Sequence, residues 1–387
     1  MRQLKIRFKK YNDVWKNVKL TETAPIVMGQ SPDSKNYTDN PNDYILVQGN
    51  ADMQNGRVVP RVWTTQITKL AEKGDLILSV RAPVGDIGKT DYNVVLGRGV
   101  AAIKGNEFLF QLLTKMKQSH YWSKFSTGST FESINSNDIK SAEIYLPSVE
   151  EQSAIGSLFR TLDDLLASYK DNLANYQSLK VTMLSKMFPK AGQTVPDIRL
   201  DGFEGDWKEM ALGSLGSVAM NKRIFKDETS ENGDIPFYKI GTFGGTADAF
   251  ISKEKFKEYK EKYPYPEIGD ILISASGSIG RTVVYKGEDA YYQDSNIVWL
   301  KHDQQLDNSY LQQYYGIIKW SGIEGTTIKR LYNKNILETN IFLPPSVSEQ
   351  QAIGTYFSNL DNLINSHQEK ISQLETIKKK LLQDMFI

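Results

Sequence analysis

Residues 154–165 read AIGSLFRTLDDL and residues 352–363 read AIGTYFSNLDNL, two similar stretches separated by 198 positions. The same separation holds near the end of each copy, in the pairs Leu184 and Leu382, Met187 and Met385, and Phe188 and Phe386. A repeat of this length has to be recognised first, because it sets how often one structural unit occurs. The sequence therefore predicts two copies of one unit.

The repeat extends upstream with shrinking separation. Residues 144–147 (IYLP) match 341–344 (IFLP), residues 74–79 (GDLILS) match 269–274 (GDILIS), and Trp15 matches Trp207. The separations fall from 197 through 195 to 192 residues, which indicates that the larger segments have diverged.

The conserved end of each copy has the apolar spacing of a long helix. With Ile155 at heptad position a, the a column is Ile155, Leu162, Tyr169, Tyr176 and Met183, and its second copy is Ile353, Leu360, His367, Leu374 and Leu381. The neighbouring d and e columns are mostly apolar as well. Two wide apolar stripes favour helix pairing, although ordinary core packing gives the same pattern.

The larger segments predict mixed domains. Short apolar runs at 75–80, 93–96, 270–274 and 296–300 read as strands, and helical spacing appears near 106–122 and 307–320. The fold class is therefore α+β. We expect a first globular domain over 1–149, a central long helix over 150–190, a second globular domain over 193–344 and a C-terminal long helix over 345–387.

Composition excludes several classes of protein. The 387 residues include 47 Lys and Arg, 46 Asp and Glu, 3 His and no Cys, and 40% are hydrophobic. The absence of Cys excludes disulfides and thiolate zinc sites. No apolar run is long enough for a membrane span, and a charged N-terminus argues against a signal peptide, so we expect a cytoplasmic chain.

Catalytic motifs are incomplete. Residues 85–90 (GDIGKT) end like a phosphate-binding loop, but Pro83 stands where the motif needs its first glycine. A nuclease arrangement of Pro196, Asp197, Asp206 and Lys208 lies in the connector and matches a common short pattern. No methyltransferase box occurs. We predict no catalytic residues and no metal ligands.

These features together resemble the specificity subunit of type I restriction-modification systems. The motifs are Leu146-Pro147, Glu151-Gln152, Ala154-Ile155, Leu162-Asp163, Met187-Phe188-Pro189, their C-terminal copies, and the linker 195–203 (VPDIRLDGF) with Trp207. The likeness covers essentially the whole chain. Trp15 lies in Asn12-Asp13-Val14-Trp15 without the Gly-Phe run of the linker, so the first copy starts differently.

The resemblance implies two target recognition domains in a pseudo-twofold repeat, separated by two long antiparallel coiled-coil helices that set a gap between them. Each domain would read one half of a bipartite double-stranded DNA target. Two modification subunits would dock on the helices, and restriction subunits would join them. S-adenosylmethionine, ATP and Mg are then expected on those partners, with no cofactor bound by this chain.

Candidate DNA-reading side chains follow the predicted strands, because amides pair with adenine edges and guanidinium groups with guanine. In the first domain they are Gln48, Asn50, Ser79, Arg81, Arg98 and Ser129. In the second domain they are Tyr238, Lys239, Ser274, Ser276, Arg281, Lys329 and Arg330.

Candidate residues for the helix pair or a partner interface are Ile155, Phe159, Leu162, Leu166, Tyr169, Ile353, Phe357, Leu360, Ile364 and Ile371. The sequence does not divide the intrachain seam from a partner-binding face. Asn172 and Lys370, at d positions, would fix the helix register if they are buried, or mark where the helices separate if they are not. We expect the former.

The distribution of charge along the chain is consistent with more than one function. Residues 1–149 hold 20 basic and 14 acidic residues, whereas residues 193–344 hold 18 and 22. The acidic second segment favours a duplicated coiled-coil scaffold that binds proteins rather than DNA. The divergence of the two globular segments favours two separate specificities. The incomplete motifs weigh against a third possibility, an enzyme in its own right.

Overall fold

The computed structural model describes residues 4–125, 133–322 and 330–387. Both repeated stretches form continuous helices of 38 residues, Val149–Lys186 and Val347–Asp384. At 1.5 Å per residue each is about 57 Å long. The first begins two residues after Pro147, and the second begins two residues after Pro345. The predicted long helices are confirmed.

The chain divides into two compact units. Unit 1 is Met1–Asp171 with Glu369–Ile387, and unit 2 is Asn172–Gln368. Each unit therefore contains one globular part together with segments of both long helices. This division differs from the four consecutive segments predicted from the sequence, because a helix pair draws together residues distant in the chain.

The strands and helices of the first copy follow in chain order. The strands are β1 Lys16–Lys19, β2 Ile26–Met28, β3 Tyr37–Thr38, β4 Tyr44–Val47, β5 Met53–Gln54, β6 Arg57–Val58, β7 Trp63–Thr64, β8 Leu70–Ala71, β9 Leu76–Ser79, β10 Ile87–Lys89, β11 Val94–Leu96, β12 Val100–Ile103 and β13 Glu143–Leu146. The helices are α1 Glu107–Gln118, α2 Ser136–Lys140 and the long α3 Val149–Lys186.

The second copy repeats this order with fewer strands and one additional helix, Lys253–Lys262. The strands are β14 Lys208–Ala211, β15 Gly216–Ala219, β16 Ile235–Tyr238, β17 Phe250–Ile251, β18 Ile271–Ser274, β19 Thr282–Val284, β20 Tyr291–Tyr292, β21 Ile297–His302 and β22 Asn340–Leu343. The helices are α4 Lys253–Lys262, α5 Asn308–Tyr315, α6 Asn333–Leu337 and the long α7 Val347–Asp384. The four predicted strands and two predicted shorter helices are all present.

Each unit contains the same kind of central sheet. Its order is β2-β12-β9-β10-β6-β5 in unit 1 and β15-β21-β18-β19 in unit 2. The β5–β6 hairpin thus extends only the first sheet. A second sheet has the order β3-β7-β4-β11-β8 in unit 1 and β17-β16-β20 in unit 2, and the pairs β1–β13 and β14–β22 complete the units.

An aromatic cluster forms the centre of unit 1. The Phe386 ring lies 5.1 Å from Phe108 and 5.7 Å from Phe159, and Trp15 lies 5.6 Å from Phe108. All four side chains are buried, and Phe108 and Phe159 are fully so. The end of α7 is therefore held in this core by apolar burial.

Unit 2 has the equivalent cluster at the end of α3. The Phe188 ring lies 5.5 Å from Tyr310 and 6.0 Å from Phe357, and Trp207 lies 6.1 Å from Tyr310. The positions correspond one by one to those of unit 1. The repeat read from the sequence is thus a repeat of packing.

A buried ion pair closes the start of each long helix. In unit 1, Arg7 donates from Nε and Nη2 to the two carboxylate oxygens of Glu151, both at 2.7 Å. In unit 2, Arg199 makes the same fork with Glu349 at 2.7 and 2.8 Å. Both carboxylates are only 1% exposed. This hydrogen bonding raises the pKa of each arginine.

The fork shows that the segment around Arg7 and the connector around Arg199 occupy equivalent positions in the two units. Ile6 donates its backbone N–H to Asp384 O, and Ile198 donates likewise to Lys186 O. Residues near Arg7 therefore occupy the place of the linker near Arg199. The looser sequence match around Trp15 hid a close structural match, because an arginine and its backbone geometry are shared while the glycines are not.

The two long helices run antiparallel within each unit. In unit 1, Lys378 contacts Asp163 and Lys170 lies 2.7 Å from Glu375. In unit 2, Lys180 contacts Asp361, and the Tyr176 ring lies 5.1 Å from His367. Lys180 and Lys378 are repeat equivalents, as are Asp163 and Asp361. A charged contact therefore recurs in the helix seam of each unit.

The predicted burial of Asn172 and Lys370 is wrong. Both side chains are exposed, as is Leu165 one heptad before Asn172. The buried stripe of α3 follows the a and e columns, where Ile155 and Phe159 lie. Because the exposed Asn172 amide and Lys370 ammonium group have water as a partner, these residues do not select the helix register.

Replacing Arg7 tests the buried fork. We expect Arg7→Ala to destabilise unit 1 by about 3 kcal/mol, because it leaves the buried Glu151 charge without its partner. Peptide-resolved hydrogen exchange measures this loss in unit 1 separately.

Two variants control that measurement. Arg57→Ala removes a half-exposed pair with Asp91 and should change stability by less than about 0.5 kcal/mol. Adding Glu151→Gln to Arg7→Ala should recover part of the loss. Equal effects of Arg7→Ala and Arg57→Ala would show that the fork contributes nothing specific.

Candidate nucleic-acid interface

Gln48 and Arg98 of unit 1 lie side by side, although 50 residues separate them in sequence. Gln48 follows β4, and Arg98 lies in the short loop that connects β11 of one sheet to β12 of the other. Gly97 donates its N–H to Val47 O at 2.7 Å. A Cβ on Gly97 would lie 3.0 Å from the Gln48 backbone, so glycine allows this close approach.

Arg81 lies on the other side of the same loop. Val80 donates its N–H to Gly99 O at 2.9 Å, and Arg81 forms an isolated β-bridge with Ser133. The side chains of Arg81 and Arg98 are both exposed. The structure thus gathers two predicted guanidinium groups at one edge of unit 1.

Asn50 lies in the turn that follows Gln48. The Asp52 carboxylate accepts the backbone N–H of Gln48 at 2.7 Å and of Gly49 at 3.2 Å. Asp52 is 4% exposed. This buried acid, which was not predicted, orders the turn that carries both candidate amides.

The structure does not support direct base contacts by Ser79 and Ser274. Both are 1% exposed. The Ser79 hydroxyl donates to Arg81 O at 2.9 Å, and the Ser274 hydroxyl donates to Ser278 O. Each serine lies at the end of a buried central strand, where its hydroxyl closes the following turn. Their role is to shape that turn.

In unit 2, Tyr238 and Lys239 occupy the place of Val47 and Gln48. Gln293 donates its N–H to Tyr238 O at 2.9 Å, as Gly97 does to Val47. The Tyr238 ring stacks on Tyr292 at 5.7 Å. Burial and a hydrogen bond to Glu288 raise the pKa of Tyr292, so the stacked phenol stays neutral.

Lys239 is not a free cation, because its Nζ lies 2.8 Å from Asp248 and both side chains are about half exposed. An exposed pair of this kind is weak, so DNA phosphate or a base can compete for the ammonium group.

Ser276 contacts the loop that carries Gln293, Arg330 lies beside Ser276, and Arg281 contacts a different loop. The Ser276 hydroxyl donates to Asn296 Oδ1 at 2.7 Å, and Ser276 forms a β-bridge with the exposed Arg330. Arg281 is exposed and donates from Nη1 to Phe243 O at 2.8 Å. Ser276 is itself 5% exposed, which favours Arg330 over Ser276 as a reader. Ser129 and Lys329 lie outside the described residues.

The predicted helix-interface residues fall into two groups. Ile155, Phe159, Leu166, Ile353, Phe357 and Leu360 are buried. Leu162, Tyr169, Ile364 and Ile371 are half-buried. The first group therefore belongs to the cores and helix seams of the units, and a partner would meet other side chains.

Four exposed apolar side chains on the long helices are repeat equivalents. Leu165 is 42% exposed and its equivalent Leu363 is 41% exposed. Leu179 is 37% exposed and its equivalent Ile377 is 48% exposed. Each unit contains one residue of each pair. The recurrence of exposed apolar groups at matched positions distinguishes them from scattered surface leucines.

Two kinds of feature are absent from the described ranges. Among these residues, no helix combines the length and apolar character of a membrane span, and no three His, Cys, Asp or Glu side chains are grouped as metal ligands.

Sequence comparison identifies related proteins. The family model for the type I restriction modification DNA specificity domain matches residues 12–175 and 204–376. A putative type I restriction enzyme specificity subunit from Haemophilus influenzae is 40% identical over 262 residues, which cover 67% of this chain and 66% of the relative. The MjaIX specificity subunit of Methanocaldococcus jannaschii is 25% identical over 350 residues, 81% of this chain and 77% of the relative.

A further relative, the putative MjaX specificity subunit of the same archaeon, matches over only 36% of this chain and 34% of its own length, at 35% identity. The matched part of the chain thus covers less than two thirds of the length of each of two relatives, the Haemophilus influenzae protein and the MjaX subunit.

Solved structures show the same fold. The type I restriction-modification S subunit from M. genitalium matches with a TM-score of 0.67 and 16% identity, over 100% of this chain and 99% of that one. A structure describing complex assembly and conformational transition of the type I system matches with a TM-score of 0.52 and 19% identity, over 96% and 97%.

Proposed function

Because the chain belongs to the type I restriction-modification DNA specificity family, we propose that it is the non-catalytic subunit that directs a methyltransferase complex to a bipartite DNA sequence. Each unit would read one half of the target. Two modification subunits would dock on the long helices, and restriction subunits would complete the complex in the cytoplasm. S-adenosylmethionine, ATP and Mg would belong to those partners.

The observation that carries the proposal is the pair of equivalent loop edges with different side chains. Gln48 in unit 1 corresponds to Lys239 in unit 2. The exposed Arg81 corresponds to the buried Ser276, whose bridge partner Arg330 is the exposed residue of unit 2. The backbone hydrogen bonds around these positions are the same in both units. One scaffold that presents different polar groups at the same places is what two independent base-reading sites need.

The acidic balance of residues 193–344 is compatible with this role. Base discrimination depends on a few placed donors and acceptors, while the modification subunits can supply phosphate contacts. The alternative of a protein-binding scaffold predicts no DNA motif.

Methylation of a split motif tests the function. Native DNA is sequenced with methylation detection from cells that express this chain with its modification subunit, and from cells that lack only this chain. We expect two short sequence blocks around a fixed unspecified gap, methylated only when the chain is present. Identical methylation in both samples, with both proteins expressed, would favour the scaffold.

Exchange of residues 193–344 for the matching segment of another family member tests the division into halves. We expect one block of the motif to change while the other block remains. A change in both blocks, with the complex intact, would contradict independent reading by each unit.

The matched apolar residues on the helices support docking of the modification subunits. Their burial under a partner would remove exposed apolar groups from water at equivalent places in both units. Two equivalent places would accommodate two copies of one partner.

Replacing these residues tests the docking site. We expect Leu165→Glu with Leu363→Glu to weaken co-purification of the modification subunit at least about tenfold, because two charges would be buried without partners. Val181→Glu is the matched control, since Val181 is 69% exposed on α3 but its repeat equivalent is Lys379. Unchanged co-purification, with folding verified by circular dichroism, would place the docking site elsewhere.

A further inference from the structure

The same two loops meet in each unit, next to the base-reading candidates. The first loop leaves β2 in unit 1 and β15 in unit 2. Strand pairing matches Val27 with Ala102 and Ala219 with Trp299. Ser31 and Arg223 each stand four residues after the paired Val27 and Ala219, so they are structural equivalents.

The second loop follows β11 in unit 1 and β20 in unit 2. Parallel pairing matches Leu96 with Val47 and Tyr292 with Tyr238. Arg98 and Asp294 each stand two residues after the paired Leu96 and Tyr292. The loop is one residue longer in unit 2, where it runs through Ser295 at a positive φ of 54°.

In unit 1 the guanidinium group comes from the second loop. Arg98 donates its backbone N–H to Ser31 Oγ at 3.0 Å, and its side-chain Nε lies 3.4 Å from the same oxygen. The terminal Nη groups of this exposed side chain have no hydrogen-bond partner among the described residues.

In unit 2 the guanidinium group comes from the first loop. Arg223 donates from Nε to Asp294 Oδ2 at 2.8 Å. The Arg223 side chain is 58% exposed, whereas Asp294 is only 15% exposed. Within the described part of the unit, the Nη groups of Arg223 have no protein partner either. The two loops have thus exchanged the arginine and its acceptor while keeping the contact.

The loop that holds Asp294 also contacts two predicted readers. Gln293 donates its N–H to Tyr238 O, and Asn296 Oδ1 accepts from the Ser276 hydroxyl. The Tyr291 hydroxyl donates to Lys222 O at 3.0 Å, which holds the Arg223 loop against β20. Arg223 therefore projects from an ordered edge that includes Tyr238 and Ser276.

An arginine held through Nε presents its two Nη groups as a fork. Two parallel donors match the O6 and N7 acceptors of guanine in the major groove, and fixing the fork reduces the freedom lost on binding. A carboxylate holds the fork more firmly than a hydroxyl does, because the hydrogen bond is charge-assisted.

We infer that Arg223 is a specificity-determining arginine of unit 2, that it reads a guanine in the second half of the target, and that Asp294 is its positioning residue. This inference rests on the proposed function. Arg98, held by Ser31, is its counterpart for the first half.

Each variant is expressed together with its modification subunit as the full complex. The measurement is the DNA motif that this complex methylates. Arg223→Gln removes the charge and the fork at similar size. We expect discrimination for guanine at one position of the second block to fall about 5- to 100-fold, with the first block unchanged. Arg98→Gln should lower guanine discrimination at one position of the first block and leave the second block unchanged.

Positioning by Asp294 has its own readout. Asp294→Ala should relax the same position as Arg223→Gln. Asp294→Asn should retain the guanine preference, because the amide oxygen still accepts from Nε. Lys260→Gln is the control, since Lys260 forms a half-exposed ion pair with Asp289 in unit 2. It should leave the motif as in the wild type.

The outcomes distinguish failure of the inference about Arg223 from failure of the proposed function. If the wild-type chain directs a split motif and Arg223→Gln lowers methylation without changing any base, Arg223 contacts phosphate and the inference is wrong while the function stands. If the wild-type chain directs no motif, function and inference fail together. If Asp294→Asn and Asp294→Ala relax the motif equally, positioning through Nε is refuted.

Discussion

Burial of one phenylalanine at the end of each long helix is the constraint on which both units depend. Phe386 packs on Phe108 and Phe159 in unit 1, and Phe188 packs on Tyr310 and Phe357 in unit 2. A buried aromatic ring removes some 150 to 250 Å² from water, so its burial contributes several kcal/mol. Each core is therefore incomplete without the end of a long helix that begins in the other unit.

The bidentate Arg–Glu forks act together with these rings. Glu151 and Glu349 lie in the first turn of their helices, where a carboxylate interacts favourably with the helix dipole. Burial at 1% exposure makes each carboxylate costly unless an arginine supplies two donors. The fork thereby ties the strand-free segment before each globular part to the start of the long helix. The buried rings and forks thus fix the structure at the ends of each unit, and the loops between those ends can vary in sequence.

Much of this architecture could be predicted from the sequence. Helices and central strands have regular apolar spacing, which is a local signal, and the repeat doubles that signal. The role of Arg7 could not be predicted, because its partner Glu151 is 144 residues away and the surrounding motif has changed. The predicted interface residues all came from the a and e columns, which the structure shows at least half-buried. The exposure of Leu165 and Leu179 could not be predicted, since the d column is largely apolar too.

The candidate site was predictable only in outline. Positions after strands correctly indicated exposed groups such as Arg81 and Arg98, but the same rule selected Ser79 and Ser274, whose hydroxyls are consumed in turns. Strand position alone does not distinguish a side chain that faces solvent from one that closes a loop.

The exchange between Ser31–Arg98 and Arg223–Asp294 shows why residue-by-residue comparison of the copies fails at the site. What the two units share is a contact between two loops, supported by equivalent strand pairing. Either loop can supply the guanidinium group, because the outward fork requires only an acceptor for Nε on the other loop. A copy can therefore change which loop carries the reader, and hence where the fork points, without altering the scaffold that holds it. Divergence of specificity with retention of fold follows from that freedom.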